Sequence, residues 1–209
     1  MKLRNFEIVA ILRDVKPEDA PLIVGTLLEN DIKFIEVSLS NEKNGFACIE
    51  KILKKTKPTF NLGVGTVTRL EQIKRVQSYG LKYIITPGWD EDLVTFSKSL
   101  GLDIIPGVFS PSEIMQALKI GITLVKLFPA GVLGEKYIKA LFGPFPNIRI
   151  MAVGEVNKSN IESLYKAGCL YFGIGSDLVP RGATIEVISQ IKINAIKYSD
   201  IVRKWRNET

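Results

Sequence analysis

Eight short apolar runs, most of them rich in β-branched residues, recur along the sequence, each starting 20–27 residues after the last. They are IVAILR (8–13), FIEVSL (34–39), NLGVGT (61–66), YIITPG (83–88), DIIPGV (103–108), LVKLFP (124–129), IRIMAVG (148–154) and YFGIGSDL (171–178). Runs of this length, apolar on both alternating faces, read as strands covered on two sides. The spacing leaves room for a loop, a helix and a second loop before each next strand.

Amphipathic helical segments fill those gaps. TRLEQIKRVQSYG opens with Thr68 and Glu71 in capping-box spacing, lines up Leu70, Ile73 and Val76, and stops at Gly80. SPSEIMQALKIG repeats the scheme with Ser110, Pro111, Glu113 and a terminal Gly121. NKSNIESLYKAG does so again before Gly168, and TIEVISQIKINAIKYSDIVRKW forms the last helix. Parallel strands alternating with helices predict an α/β protein, and eight units favour a (β/α)8 TIM barrel built as a single domain over residues 1–209. A doubly wound open sheet is the structural alternative.

The chain has no histidine, which excludes Ser-His-Asp and Cys-His catalysis and histidine-containing zinc sites. Its two cysteines, Cys48 and Cys169, form no CxxC pair and suggest no disulfide framework. The net charge is +6, but the lysines are scattered; KILKKTK (51–57) reads as the solvated end of a helix. The charge suits a small anionic substrate and gives no reason to expect nucleic acid. No apolar run is long enough to cross a bilayer and MKLRNFEIVAILRD has no leader-like core, so a cytoplasmic location without membrane contact is expected.

Chemistry in such a barrel sits where strands deliver the chain into their following loops. That edge receives Arg13, Glu36, Thr66, the TPG of residues 86–88, Lys126 with FPAG, the VGE of 153–155 and the GIGS of 173–176. Alternation puts Lys126 and Phe128 on one face of their strand, with Val125 and Leu127 on the other, and pairs Glu36 with Ser38. Burying an ammonium is costly. A desolvated lysine holds more neutral amine and can attack a ketone while a nearby glutamate moves protons. The same two residues equally describe a structural ion pair. The glycines and Ser176 after the last two strands fit a phosphate site, and fit simple turns as well.

These residues carry a resemblance. In order and at family-like spacing, IEVSL, GVGTVT, TPG, IPGVFSPSE, VKLFPA, YIKAL with GPFP, and GIGSDLV make the chain similar to the class I aldolases of 2-keto-3-deoxy-6-phosphogluconate and 4-hydroxy-2-oxoglutarate. YIKAL, MAVGEV and GSDL look most like the branch that cleaves the 6-phosphogalactonate isomer. The resemblance implies an aldehyde-lyase releasing pyruvate and glyceraldehyde 3-phosphate, with Lys126 forming the Schiff base and Glu36 as general acid and base. It implies that Thr66 contacts the pyruvyl portion, that Pro87 and Phe128 wall it, and that Gly154, Glu155, Gly175 and Ser176 occupy phosphate-site positions. No metal or other cofactor is implied, and a homotrimer is.

Two departures from the family pattern stand out. Many members carry arginine where this chain has Ser40, and Arg13 is the residue available to grip the substrate carboxylate instead. The phosphate loop normally has two consecutive glycines, and here Glu155 replaces the second. A carboxylate beside a phosphate dianion is repelled by about 1 kcal/mol at 4 Å in water. Either Glu155 points away and offers only its amide, or the substrate is unphosphorylated, as 4-hydroxy-2-oxoglutarate is. A phosphosugar isomerase or epimerase, and a sugar-phosphate-binding protein without turnover, are the readings from other classes.

Overall fold

The structure, a computed structural model, describes residues 7–56 and 60–208. Residues 1–6 of the N-terminal segment and Lys57 of the lysine run lie outside the described residues. In chain order the elements are β1 (Glu7–Leu12), α1 (Ala20–Glu29), β2 (Phe34–Ser38), α2 (Glu42–Lys55), β3 (Asn61–Gly65) and α3 (Leu70–Ser78). They continue as β4 (Tyr83–Ile85), α4 (Glu91–Ser99), β5 (Asp103–Ile105), β6 (Gly107–Val108), α5 (Pro111–Lys119) and β7 (Leu124–Leu127). The chain then forms α6 (Ala130–Phe142), β8 (Arg149–Val153), α7 (Ile161–Lys166), β9 (Tyr171–Ile174), a 3-10 turn at Ile185–Val187 and α8 (Ile188–Asn207).

Every strand among the described residues falls on one of the eight expected runs, β1 starting one residue early at Glu7, yet nine strands form there. The extra one arises because DIIPGV divides at Pro106, which has no N–H to give a ladder. β5 pairs with β4, whereas β6 pairs with β7, so the run changes partner at the proline. The Pro106 carbonyl still accepts from the Lys126 amide at 2.9 Å.

The contacts divide the chain into two compact units, one of residues 67–173 and the other of the described residues 7–66 and 174–208. In the second, the strands run in the order β3-β2-β1, all parallel and in register. All six residues of β1 are buried. α8 packs against α1 and β1, and Arg206 holds the start of β1 through a 2.7 Å ion pair to Glu7. In the first unit β4 pairs with β5, and β9-β8-β7-β6 form a parallel run.

Helix ends follow the sequence signals in most places. Ser110 caps α5, and Glu113 reaches back to accept from the Ser110 amide at 2.7 Å. The stops at Gly80, Gly121 and Gly168 all take positive φ, where a side chain would be strained. α3 differs from expectation. Its cap is Arg69, and Gln72 rather than Glu71 reaches back, accepting from the amides of Thr68 at 2.8 Å and Arg69 at 3.2 Å. Starting one residue later moves the reciprocal position to Gln72 and leaves Leu70 36% exposed, while Ile73 and Val76 are buried as expected. The last helix is also modified, opening as a 3-10 turn before α8. No helix among the described residues is long and apolar enough to cross a membrane.

Candidate active site

The unit built on β1, β2 and β3 carries Glu36, Thr66, Arg13, Gly175 and Ser176. Strand alternation puts Glu36 and Ser38 on one face of β2, and Glu36 is only 2% exposed. Register pairs Ser38 with Gly65 of β3. A Cβ on Gly65 would stand 1.5 Å from Glu36 Oε1, so the carboxylate lies directly over the backbone of Gly65. No residue with a side chain leaves that space.

Immediately beyond Gly65 the chain turns through Thr66 at φ +59°. A β-branched residue in this region is strained, by about 1–2 kcal/mol. Its hydroxyl lies 3.1 Å from Ser38 Oγ, which is itself 3.1 Å from Ser40 Oγ and accepts from the Ser40 amide at 3.3 Å. Ser40 is exposed and Ser38 is buried.

Arg13 follows β1 and is exposed. Its carbonyl accepts from Gly182 at 3.0 Å, and the adjacent Asp14 pairs with Arg181 at 2.7 Å. The loop after β1 is therefore tied to residues 181–183. Gly175 and Ser176 follow β9, at the strand end where the sequence places them, and the chain turns there. Leu178 and Val179 both donate to the Gly175 carbonyl at 2.9 Å. Asp177 accepts from the Tyr198 hydroxyl at 2.5 Å, which pins this turn to α8. Burial, followed by the Asp177 carboxylate, pushes the Tyr198 phenol well above its usual range, so it stays a donor.

The unit of residues 67–173 carries Lys126, Phe128, Pro87, Gly154 and Glu155. Lys126 sits in β7 between Gly107 of β6 and Met151 of β8, and is 6% exposed. Its side-chain nitrogen lies 5.2 Å from the centre of the ring of Phe128, which follows the strand two residues on and on the same side. Phe128 is 41% exposed, and its ring packs on Gly154, where a Cβ would come within 2.8 Å.

Gly154 and Glu155 take φ +87° and +54° in succession. Glu155 thus adopts a backbone conformation natural to glycine. Its carbonyl is held by the side-chain amides of Asn160 at 2.7 Å and Asn157 at 3.3 Å, and its side chain is exposed. Gly131 donates to the Gly154 carbonyl at 2.8 Å, so the start of α6 rests on this loop. Pro87 is exposed, and the turn that carries it is fixed by buried Thr86. The Thr86 hydroxyl donates to the Gly88 carbonyl at 2.7 Å and accepts from the Gly107 amide at 3.0 Å.

The candidates thus gather as Glu36 with Thr66 in one unit and as Lys126, Phe128 and Gly154 in the other. The sequence places Thr86 at the strand edge within TPG without giving it a role, and gives Gly65 and Gly107 none either. The signal for Gly65 was available, since GVGT puts a glycine level with the end of IEVS on the neighbouring strand. Cys48 and Cys169 are both free and buried. Burial, assisted by Glu18 and Asp14, raises the Cys48 thiol to about 11, and burial alone raises Cys169 to about 12. Neither offers a thiolate near neutral pH. Among the described residues no three His, Cys, Asp or Glu side chains are grouped to hold a metal ion.

The family model described as "Aldolase: KDPG and KHG aldolase" matches residues 1–196. A probable 2-dehydro-3-deoxy-6-phosphogalactonate aldolase of Rhizobium meliloti is 33% identical over 196 residues, covering 93% of this chain and 92% of the relative. A 2-dehydro-3-deoxy-phosphogluconate aldolase of Haemophilus influenzae is 34% identical over 77% of this chain and 76% of its own.

Among solved structures, one described as native KDPGal superposes with a TM-score of 0.82 at 27% identity, over 98% of this chain and all of that one. The fold is accordingly the (β/α)8 barrel that the strand spacing predicts. A KDPG aldolase from Legionella pneumophila, with pyruvate captured as a covalent carbinolamine, matches with a TM-score of 0.79 at 28% identity, over 95% and 93% of the two chains. A porous cage designed by fusing symmetric oligomeric domains matches with a TM-score of 0.87 at 28% identity, over 98% of this chain and 76% of the cage chain.

Proposed function

From the premise that the chain belongs to the KDPG and KHG aldolase family, we propose that it cleaves a 2-keto-3-deoxy-6-phospho sugar acid through a Schiff base on Lys126. The observation that carries this assignment is a lysine 6% exposed, in mid-strand, with an aromatic ring beside its nitrogen. The neutral form of a lysine amine is the nucleophile that attacks carbonyl carbon.

In the proposed reaction Lys126 Nζ adds to the C2 ketone, and the carbinolamine loses water with a proton supplied by Glu36. The resulting iminium draws electrons. Glu36 then takes the proton of the C4 hydroxyl, and the C3–C4 bond breaks to release glyceraldehyde 3-phosphate. Its electron pair forms an enamine, which is protonated at C3, and water hydrolyses the imine to free pyruvate and restore the amine. Thr66 and Arg13 hold the carboxylate end, and Pro87 and Phe128 wall the pyruvyl group. Gly154, Gly175 and Ser176, with the amide of Glu155, take the phosphate.

The backbone of residue 155 supports the phosphorylated substrate. Gly154 and Glu155 take two successive positive φ values, a backbone natural to a pair of glycines, which agrees with a loop that offers its amides to an anion. The exposed carboxylate of Glu155 favours the second reading, an unphosphorylated acid such as 4-hydroxy-2-oxoglutarate. We take the chain as one catalytic domain, acting in the cytoplasm as a homotrimer; the designed cage built from symmetric oligomeric domains is in keeping with a symmetric assembly.

Borohydride reduction in the presence of pyruvate tests the assignment. The wild type gains one pyruvyl adduct at Lys126, and Lys126→Ala gains none; an adduct at a different lysine overturns the assignment. A coupled assay of pyruvate release from both phosphorylated C4 epimers and from 4-hydroxy-2-oxoglutarate then ranks the substrates.

A further inference from the structure

We propose that Ser40 and Ser38 form a reversible hydroxyl relay that turns the Thr66 hydroxyl into a donor toward the substrate carboxylate. The inference rests on the aldolase reading above and adds two positioning residues to it.

Three hydroxyls stand in series at the ends of β2 and β3, each 3.1 Å from the next, with Ser38 in the middle. A hydroxyl has one proton and two acceptor lone pairs. One lone pair of Ser38 Oγ is already used by the Ser40 amide. With one lone pair and one proton left, Ser38 has just two ways to serve both neighbours. In the first it donates to Ser40 and accepts from Thr66, which leaves Thr66 showing only lone pairs outward. In the second Ser40 donates to Ser38, Ser38 donates to Thr66, and the Thr66 proton points out of the chain.

All of the bonds are kept in both states, so switching costs little. An anion beside Thr66 is repelled by the first state and bound by the second, which gives a charge-assisted hydrogen bond backed by two others. The positive φ of Thr66 agrees with this role, because a β-branched residue is held there only when its surroundings fix it. Ser38 is buried and cannot be replaced by water without loss of the middle link, while exposed Ser40 terminates the relay in solvent.

The test measures pyruvate capture by borohydride trapping, over a range of pyruvate concentrations, alongside methyl pyruvate, which lacks the carboxylate charge. Ser38→Ala and Ser40→Ala are expected to raise the half-saturating pyruvate concentration about fivefold, the size of one ordinary hydrogen bond, because the bond from Thr66 is weakened and not removed. Trapping at saturation and the melting temperature stay near wild type, methyl pyruvate is affected little, and Ser40→Thr restores pyruvate affinity. Equal loss with both compounds, or no loss with either, overturns the relay while leaving the aldolase reading in place. Absence of any adduct in the wild type overturns both.

Discussion

The carboxylate of Glu36 occupies the place that a side chain on Gly65 would fill, with Oε1 1.5 Å from the position of a Cβ there. The proposed general acid and base is therefore located by the absence of an atom on the next strand. Gly65→Ala has to displace the carboxylate by more than 1 Å, and misplacement on that scale costs about a hundredfold in rate. We expect kcat to fall by about that factor, close to the effect of Glu36→Gln, with pyruvate release as the readout. A variant with unchanged kcat would show that Glu36 does not act from this position.

Glu155 pays a conformational penalty at φ +54° that glycine does not. Glu155→Gly is expected to stabilise the protein by roughly 0.5–1 kcal/mol after allowing for the greater chain entropy of glycine. Its Asn157 and Asn160 contacts survive, since both reach the backbone carbonyl. If the carboxylate opposes phosphate, KM for the phosphorylated acid falls as well. Stabilisation with an unchanged KM would mean that the side chain points elsewhere.

Tyr198→Phe removes the donor that ties Asp177, next to Ser176, to α8. Leaving a partly buried carboxylate without this bond costs about 1–3 kcal/mol. The expected result is a lower urea midpoint together with a raised KM for the phosphorylated acid. Pyruvate trapping is expected to hold, because pyruvate carries no phosphate. A loss of trapping comparable to the loss in KM would contradict the phosphate-loop assignment.

Alkaline stability follows from Cys169. Its folded-state value of about 12 lies above the ordinary 9.0, because burial disfavours the thiolate. A raised value means that the stabilisation is complete below about pH 9 and is lost as pH climbs toward 12. The slope for one group is about 1.4 kcal/mol per pH unit. Urea midpoints at several pH values above 9 are expected to fall, and to fall less steeply in Cys169→Ala.

Much of this was legible in the sequence because it depends on periodicity. Runs with apolar residues on alternating faces fix strands, and Ser110 with Glu113 fixes the start of a helix, since both are set by residues close in the chain. Lys126 stood out for a similar reason, as the lone charge in a run otherwise fit for burial, and the ordered motifs around it carried the family. Other features needed the tertiary structure. The shift of the α3 cap to Arg69, the split at Pro106 and the positive φ of Thr66 and Glu155 each depend on which neighbours complete the hydrogen bonding. Gly65 beneath Glu36, and Thr66 beside Ser38 and Ser40, join residues about 28 positions apart in the chain. Sequence order says which residues are available. Only strand register, set by the pairing of β2 with β3, decides which of them touch.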